Sequence, residues 1–128
     1  MATSDRFDVS CIDDDHRRLY LRMLLYPTFV LRDGCLLFEA HCANDNFAQN
    51  WRALAVIDPA TVEQRINHVH LSGIESNLEA QRQLGMRIRR AWHAALERQH
   101  PELRCELRLY LWRHETGTEW VLDLQQMR

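Results

Sequence analysis

The chain contains no lysine; all sixteen of its basic residues are arginine. Glycine is scarce, with four in 128 residues. That excludes the standard nucleotide fingerprints, which need several closely spaced glycines to bring backbone N–H groups against phosphate. There is no Gly-x-Ser-x-Gly, and Ser10, Ser72 and Ser76 fall in a strand-like stretch, a turn and a helix cap. Cys11, Cys35, Cys42 and Cys105 show no Cys-x-x-Cys spacing. They sit in apolar or alternating stretches, where a free cysteine behaves as a small buried hydrophobe, and no disulfide framework is implied. No apolar run approaches the ~20 residues that cross a bilayer, and Met1–Asp15 lacks the apolar region of a signal peptide. These absences lead us to expect a cytoplasmic protein with no membrane association and no cofactor.

What is present reads as an ordinary globular chain. The hydrophobic fraction is 46% and the charged fraction 27%. A chain of this length buries roughly two thirds of its unfolded surface, enough for a core without staples. One domain is expected over 1–128, with no linker and no low-complexity tract. The net charge of −2 and a pI of about 6.4 argue against general nucleic-acid binding. The charge is uneven, however. Asp5, Asp8, Asp13, Asp14 and Asp15 make residues 1–15 an acidic arm in which Arg6 is the one base. Within it Phe7, Val9 and Cys11 alternate with polar residues, which fits either a short strand or a mobile arm.

Ser76–Gln99 is the strongest element. With 100° per residue, Leu84, Ile88, Ala91, Trp92 and Ala95 fall on one stripe, with Leu78 and Leu96 at its edge, which predicts an amphipathic helix. Ser76 is the expected N-cap with Glu79 completing a capping box, and Pro101 ends the helix. Gly85 costs about 1 kcal/mol relative to alanine and suggests a close approach by another backbone. The outward side carries Arg82, Arg87, Arg89, Arg90 and Arg98 with Met86 among them, against Glu79 and Glu97. Arginine and methionine are enriched at interfaces, so Arg82, Met86, Arg89 and Arg90 are candidate partner-binding residues.

Asp33-Gly34 predicts a two-residue hairpin turn within Thr28–Cys42, pairing Leu31 with Leu36, Phe29 with Phe38 and Val30 with Leu37. Both faces are apolar, so the hairpin is covered on both sides or contributes to an interface. Asn44–Asn46 is a loop, and the alternation of Trp51, Ala53, Ala55 and Ile57 predicts a third strand over Phe47–Ile57. Asp58-Pro59 starts a short helix that runs to about Asn67. His68–Leu71 is extended and Ser72-Gly73 turns. His16–Tyr26 fits two periods. As a strand it puts Leu19, Leu21, Met23 and Leu25 on one face. As a helix it makes a stripe of Leu19, Tyr20, Met23 and Leu24. The alternation is cleaner and favours the strand. The tetrapeptide Arg-Leu-Tyr-Leu occurs at Arg18–Leu21 and again at Arg108–Leu111, too short to count as a repeat.

After Pro101 a second hairpin is predicted, pairing Leu111 with Trp120, Leu109 with Leu122 and Leu107 with Leu124 across a His114–Gly117 turn. The same register sets Arg108 opposite Asp123, a favourable cross-strand pair. Arg108, Tyr110 and Trp112 lie on the face away from the leucines and have the composition of a binding hot spot. The expected fold is α+β. An antiparallel sheet combines the N-terminal hairpin, the third strand and the C-terminal hairpin, and the long helix over 76–99 lies across one face.

For chemistry, His68 and His70 project to one side of an extended segment and could reach one divalent ion. Phosphoesterases with two His-x-Thr/Ser motifs are a poor match. His68-Val69-His70-Leu71 lacks the hydroxyl residue, and His114-Glu115-Thr116 falls at a turn. Asp13–Asp15 lacks the spacing of a calcium loop. The leading expectation is a small non-catalytic interaction module, an adaptor, inhibitor or assembly factor that acts on a protein partner and forms a homodimer. The alternative is a metal- or small-molecule-binding enzyme using His68 and His70 in a pocket between helix and sheet.

Overall fold

A computed structural model describes residues 14–42 and 58–128. The acidic segment before Asp14, the Asn44–Asn46 loop, the strand expected over Phe47–Ile57 and Cys11 lie outside the described residues. The elements run α1 (Asp14–Leu25), β1 (Phe29–Arg32), β2 (Cys35–Phe38), α2 (Pro59–Ile66), β3 (Val69–His70), α3 (Leu78–Gln99), β4 (Cys105–His114) and β5 (Gly117–Gln126). Short 3-10 turns follow β2 at Glu39–Cys42 and β3 at Leu71–Gly73. The fold is α+β, with antiparallel strands and the long helix packed across a sheet.

Both hairpins adopt the registers that the alternation of their side chains dictates. Phe29 faces Phe38, Val30 faces Leu37 and Leu31 faces Leu36, around a turn in which Asp33 and Gly34 both have positive φ. In the C-terminal pair Leu107 faces Leu124, Arg108 faces Asp123, Leu109 faces Leu122 and Leu111 faces Trp120. The two hairpins do not share one ladder. β1 and β2 form a sheet of their own, and the second sheet has the order β3-β5-β4.

The seam between the sheets is made by side chains of α2 and of its C-cap residue. The Leu36 amide donates to the buried Glu63 carboxylate at 2.7 Å, which also takes the Gln126 amide at 2.9 Å. Asn67, fully buried, accepts from the Phe38 amide at 2.8 Å and donates to the Leu36 and Leu124 carbonyls. The backbone groups of β2 and β5 that face each other are thus satisfied by a carboxylate and an amide instead of by a strand. The N-terminal hairpin is covered on both sides. Cys35 and Leu37 pack with Val62 and Ile66 of α2, while Phe29, Leu36 and Phe38 join the main core around Trp92.

Two local expectations are corrected. His16–Tyr26 is helical, not extended. Leu24 is buried, Tyr20, Leu21, Met23 and Leu25 pack against the core, and Leu19 is left outside. The leucine alternation is overruled by a helix face docking on α3, where the Trp92 indole N–H donates to the Leu24 carbonyl at 2.9 Å. The cap of α3 is Asn77, whose side chain accepts from the Ala80 amide at 2.7 Å, and not Ser76. Glu79 therefore sits one position early for a capping box and pairs with Arg82 instead. Gly85 is approached by side chains, not by backbone: a Cβ there would lie 2.6 Å from a methyl of Leu109 and 2.7 Å from one of Leu71.

The start of α2 is as expected. Asp58 is its N-cap, accepting from the Thr61 amide, and Pro59 occupies the first turn. Among the described residues no helix is long and apolar enough to cross a membrane.

Candidate functional site

The β3-β5-β4 sheet has two unlike faces, because successive side chains of a strand alternate. Leu107, Leu109, Leu122 and Leu124 point toward α3 and join the main core. Arg108, Tyr110, Trp112 and His114 of β4 point the other way, with Glu119, Val121 and Asp123 opposite them on β5. β3 pairs His70 with Val121, which puts His70 on this same outer face. The residues singled out as an interaction patch and the residues singled out as metal ligands therefore share one surface.

At one end of that surface a polar chain surrounds Glu119, whose side chain is buried. The Ser72 hydroxyl donates to one carboxylate oxygen at 2.6 Å. His70 Nδ1 lies 3.2 Å from the same oxygen, within ion-pair distance. His114 Nε2 contacts the other oxygen at 3.1 Å, and the Thr116 hydroxyl bonds to His114 Nδ1 at 2.8 Å. His68 Nε2 and His70 Nε2 approach to 2.9 Å. A buried carboxylate requires such partners, since its desolvation is otherwise costly. The Trp112 ring packs between His70 and His114, with centroids 5.5 and 4.6 Å away.

Further along, Arg108 grips the buried Asp123 with two bonds of 3.1 and 2.8 Å. Its guanidinium lies 5.5 Å over the Tyr110 ring, within cation–π range. The Asp123 carboxylate raises the Arg108 pKa, and partial burial together with Asp123 raises that of the Tyr110 hydroxyl. Both aromatic side chains are held by fixed polar neighbours and still reach solvent. Tyr110 is 37% and Trp112 42% exposed.

The helix-borne candidates are elsewhere. Arg82, Met86, Arg89 and Arg90 ride on the side of α3 that faces away from the sheet, so the core separates them from Arg108, Tyr110 and Trp112. Arg82 is tied along its own helix, with two bonds to Glu79 and one from a guanidinium nitrogen to Met86 Sδ at 3.3 Å. Hydrogen bonds from Arg82 and Gln83 hold the Glu79 carboxyl down at about 2.

Among the described residues, the space between α3 and the sheet on the inner side of His70 belongs to the core. That space is filled by Leu71, Leu109 and Ile88, and both imidazoles lie on the outer face. A shallow cleft of about 450 Å³ at the start of α3 is lined by residues such as Glu75, Gln83 and Arg87, with no histidine. Among the described residues no group of three or more His, Cys, Asp or Glu side chains is placed to hold a metal ion. His68 and His70 offer two convergent donors.

Sequence reasoning missed Glu119, Ser72 and the role of His114. Glu119 carries a legible signal, since the hairpin register sets it opposite Trp112. The β3–β5 pairing that brings His70 and Ser72 to it spans about fifty residues and leaves no local trace.

No protein-family model matches the chain, and no curated protein or solved structure is significantly similar to it.

Proposed function

We propose that this protein is a small non-catalytic protein–protein interaction module, an adaptor, inhibitor or assembly factor. Its docking surface is the outer face of β4 and β5. One observation carries this reading: Arg108, Tyr110 and Trp112 stand in a row on a regular ladder, exposed to solvent yet braced by Asp123, His70 and His114. Rigid aromatic side chains lose little entropy on binding, and Trp, Tyr and Arg dominate interface energetics. The helix face with Arg82, Met86, Arg89 and Arg90 is the weaker candidate, because Arg82 already has partners within α3. The free thiols of Cys35, Cys42 and Cys105 suit a reducing compartment such as the cytoplasm.

The test is a quantitative comparison of partners retained by the wild-type chain and by a Tyr110→Ala, Trp112→Ala double variant. Loss of a stoichiometric partner with the melting temperature kept within a few degrees supports the reading. Identical retention by both proteins overturns it.

A second reading has one observation behind it, the 2.9 Å approach of the His68 and His70 Nε2 atoms. Two imidazoles so placed suit a divalent transition metal whose remaining positions are filled by water or by a ligand. Calorimetric titration with zinc should then show one site per chain that His68→Ala, His70→Ala abolishes. No heat from the wild-type protein ends this reading.

A further inference from the structure

Among the described residues, strand β4 is an edge strand of the β3-β5-β4 sheet. Which of its backbone groups face outward follows from its neighbour. The Trp120 amide donates to Gln81 and the Gln126 amide to Glu63, so the even residues of β5 turn away from β4 and the odd ones bond to it. In an antiparallel ladder the two residues of a hydrogen-bonded pair exchange both bonds. The register pairs odd β5 residues with even β4 residues, such as Glu119 with Trp112 and Val121 with Tyr110. The N–H and C=O groups of Leu107, Leu109, Leu111 and Arg113 consequently point to the open edge.

An open edge is a template for another strand, and proteins normally blunt it with proline, a bulge or a covering element. β4 has none of the first two: its sequence is CELRLYLWRH, and its ladder with β5 is unbroken from Cys105 to His114. Among the described residues no strand lies beyond it. The side chains flanking the edge include Leu111 at 38% exposure, beside the exposed Tyr110 and Trp112.

We infer that the occupant of this edge is β4 of a second copy of the chain, paired antiparallel about a two-fold axis at Tyr110. The inference rests on the interaction-module reading and names the partner. Hydrogen bonding demands that outward residues meet outward residues, so odd pairs with odd and even with even. Centred on Tyr110, Leu109 meets Leu111 of the other copy on the helix side. On the outer face Glu106 meets His114, Arg108 meets Trp112 and Tyr110 meets its own equivalent. No like charges stand opposite, and Arg108 over Trp112 is a cation–π pair. Centring on Arg108 would oppose two arginines, and centring on Leu111 would set Arg108 against His114. The same parity rule keeps both long helices on one side. The two three-stranded sheets join into one of six strands, and the two Tyr110–Trp112 rows merge into a single aromatic band. The association is isologous and closed, so it does not propagate into a fibre.

Light scattering coupled to gel filtration tests this directly. The wild-type chain should run as a dimer at about 0.1 mM, a concentration that populates any micromolar association. Leu111→Pro, which removes an outward N–H without touching the β4–β5 ladder, should run as a monomer with unchanged circular dichroism. Because that variant could fail to fold, a second measurement is made in a Cys105→Ser background. Tyr110→Cys should form an interchain disulfide under mild oxidation, and Trp112→Cys should not. A monomeric wild type overturns the inference while leaving the docking reading intact if a foreign partner still depends on Tyr110 and Trp112. Equal cross-linking at positions 110 and 112, or a dimer indifferent to Leu111→Pro, also overturns it.

Discussion

Asn67 and His41 show how much depends on single polar side chains packed against the core, the first fully and the second partly buried. Asn67 ends α2 and satisfies backbone groups of both β2 and β5. Asn67→Ala leaves the Phe38 amide and the Leu36 carbonyl buried without those bonds, each such group costing about 1–3 kcal/mol. A loss of about 2–4 kcal/mol in chemical denaturation is expected; a loss below 1 kcal/mol would show that water replaces the amide. His41 stacks on Tyr20, its Nδ1 donating to the Ile66 carbonyl at 2.6 Å and its Nε2 accepting from the Tyr20 hydroxyl at 2.9 Å. Burial lowers its pKa below the ordinary 6.5, the nearby His68 adds to this and the Ile66 carbonyl opposes it. The unfolded chain then binds more protons than the folded one just below pH 6.5, so stability falls as pH drops through that value and levels off below the folded pKa. His41→Gln should flatten this part of the stability profile measured between pH 7 and pH 5. A variant with the wild-type slope would assign the effect to other histidines.

At the scale of elements, α3 and the second sheet are fitted to each other through Gly85. The helix tolerates a residue of poor propensity because the Leu71 and Leu109 methyl groups occupy the place of a Cβ. Gly85→Ala gains about 1 kcal/mol of propensity and loses about 1–3 kcal/mol to overpacking. The net expectation is a destabilised protein in thermal or denaturant melts. In a background with both Leu71→Ala and Leu109→Ala, which clears both methyl groups, the same change should become stabilising. A stabilising effect of Gly85→Ala alone would mean that both leucines move aside freely. The tetrapeptide Arg-Leu-Tyr-Leu carries the same lesson. At Arg18–Leu21 it is helical within α1, and at Arg108–Leu111 it is extended within β4. Its neighbours decide: Asp14 to Leu25 can offer one helical face to the core, whereas Arg108–Leu111 sits in a run of uninterrupted alternation.

Across the whole molecule the two candidate surfaces lie on opposite sides of one core. Reversal of Arg82 and Arg89 to glutamate changes the outer side of α3, and Tyr110→Ala with Trp112→Ala changes the outer side of the sheet. Each pair should leave the fold near wild-type stability, since exposed ion pairs contribute little and both aromatic residues are partly exposed. Partner binding should be lost with the second pair and kept with the first. The reverse pattern would move the docking surface to the helix.

The sequence by itself determined the elements whose signals are local. Both hairpin registers, the Asp58-Pro59 helix start, the long amphipathic helix and the outward placement of Arg108, Tyr110 and Trp112 follow from side-chain period and turn chemistry. These depend on residues a few positions apart, where backbone geometry leaves few choices. Only the tertiary structure decided the helical state of α1, the division of the strands into two sheets, and the assembly of His70, Ser72 and His114 around Glu119. Each of these is settled by contacts between distant segments: Leu24 on Trp92, Glu63 and Asn67 between β2 and β5, His70 beside Val121. Burial of a face or of a carboxylate outweighs local propensities of less than 1 kcal/mol per residue, and which face becomes buried is a property of the packed chain.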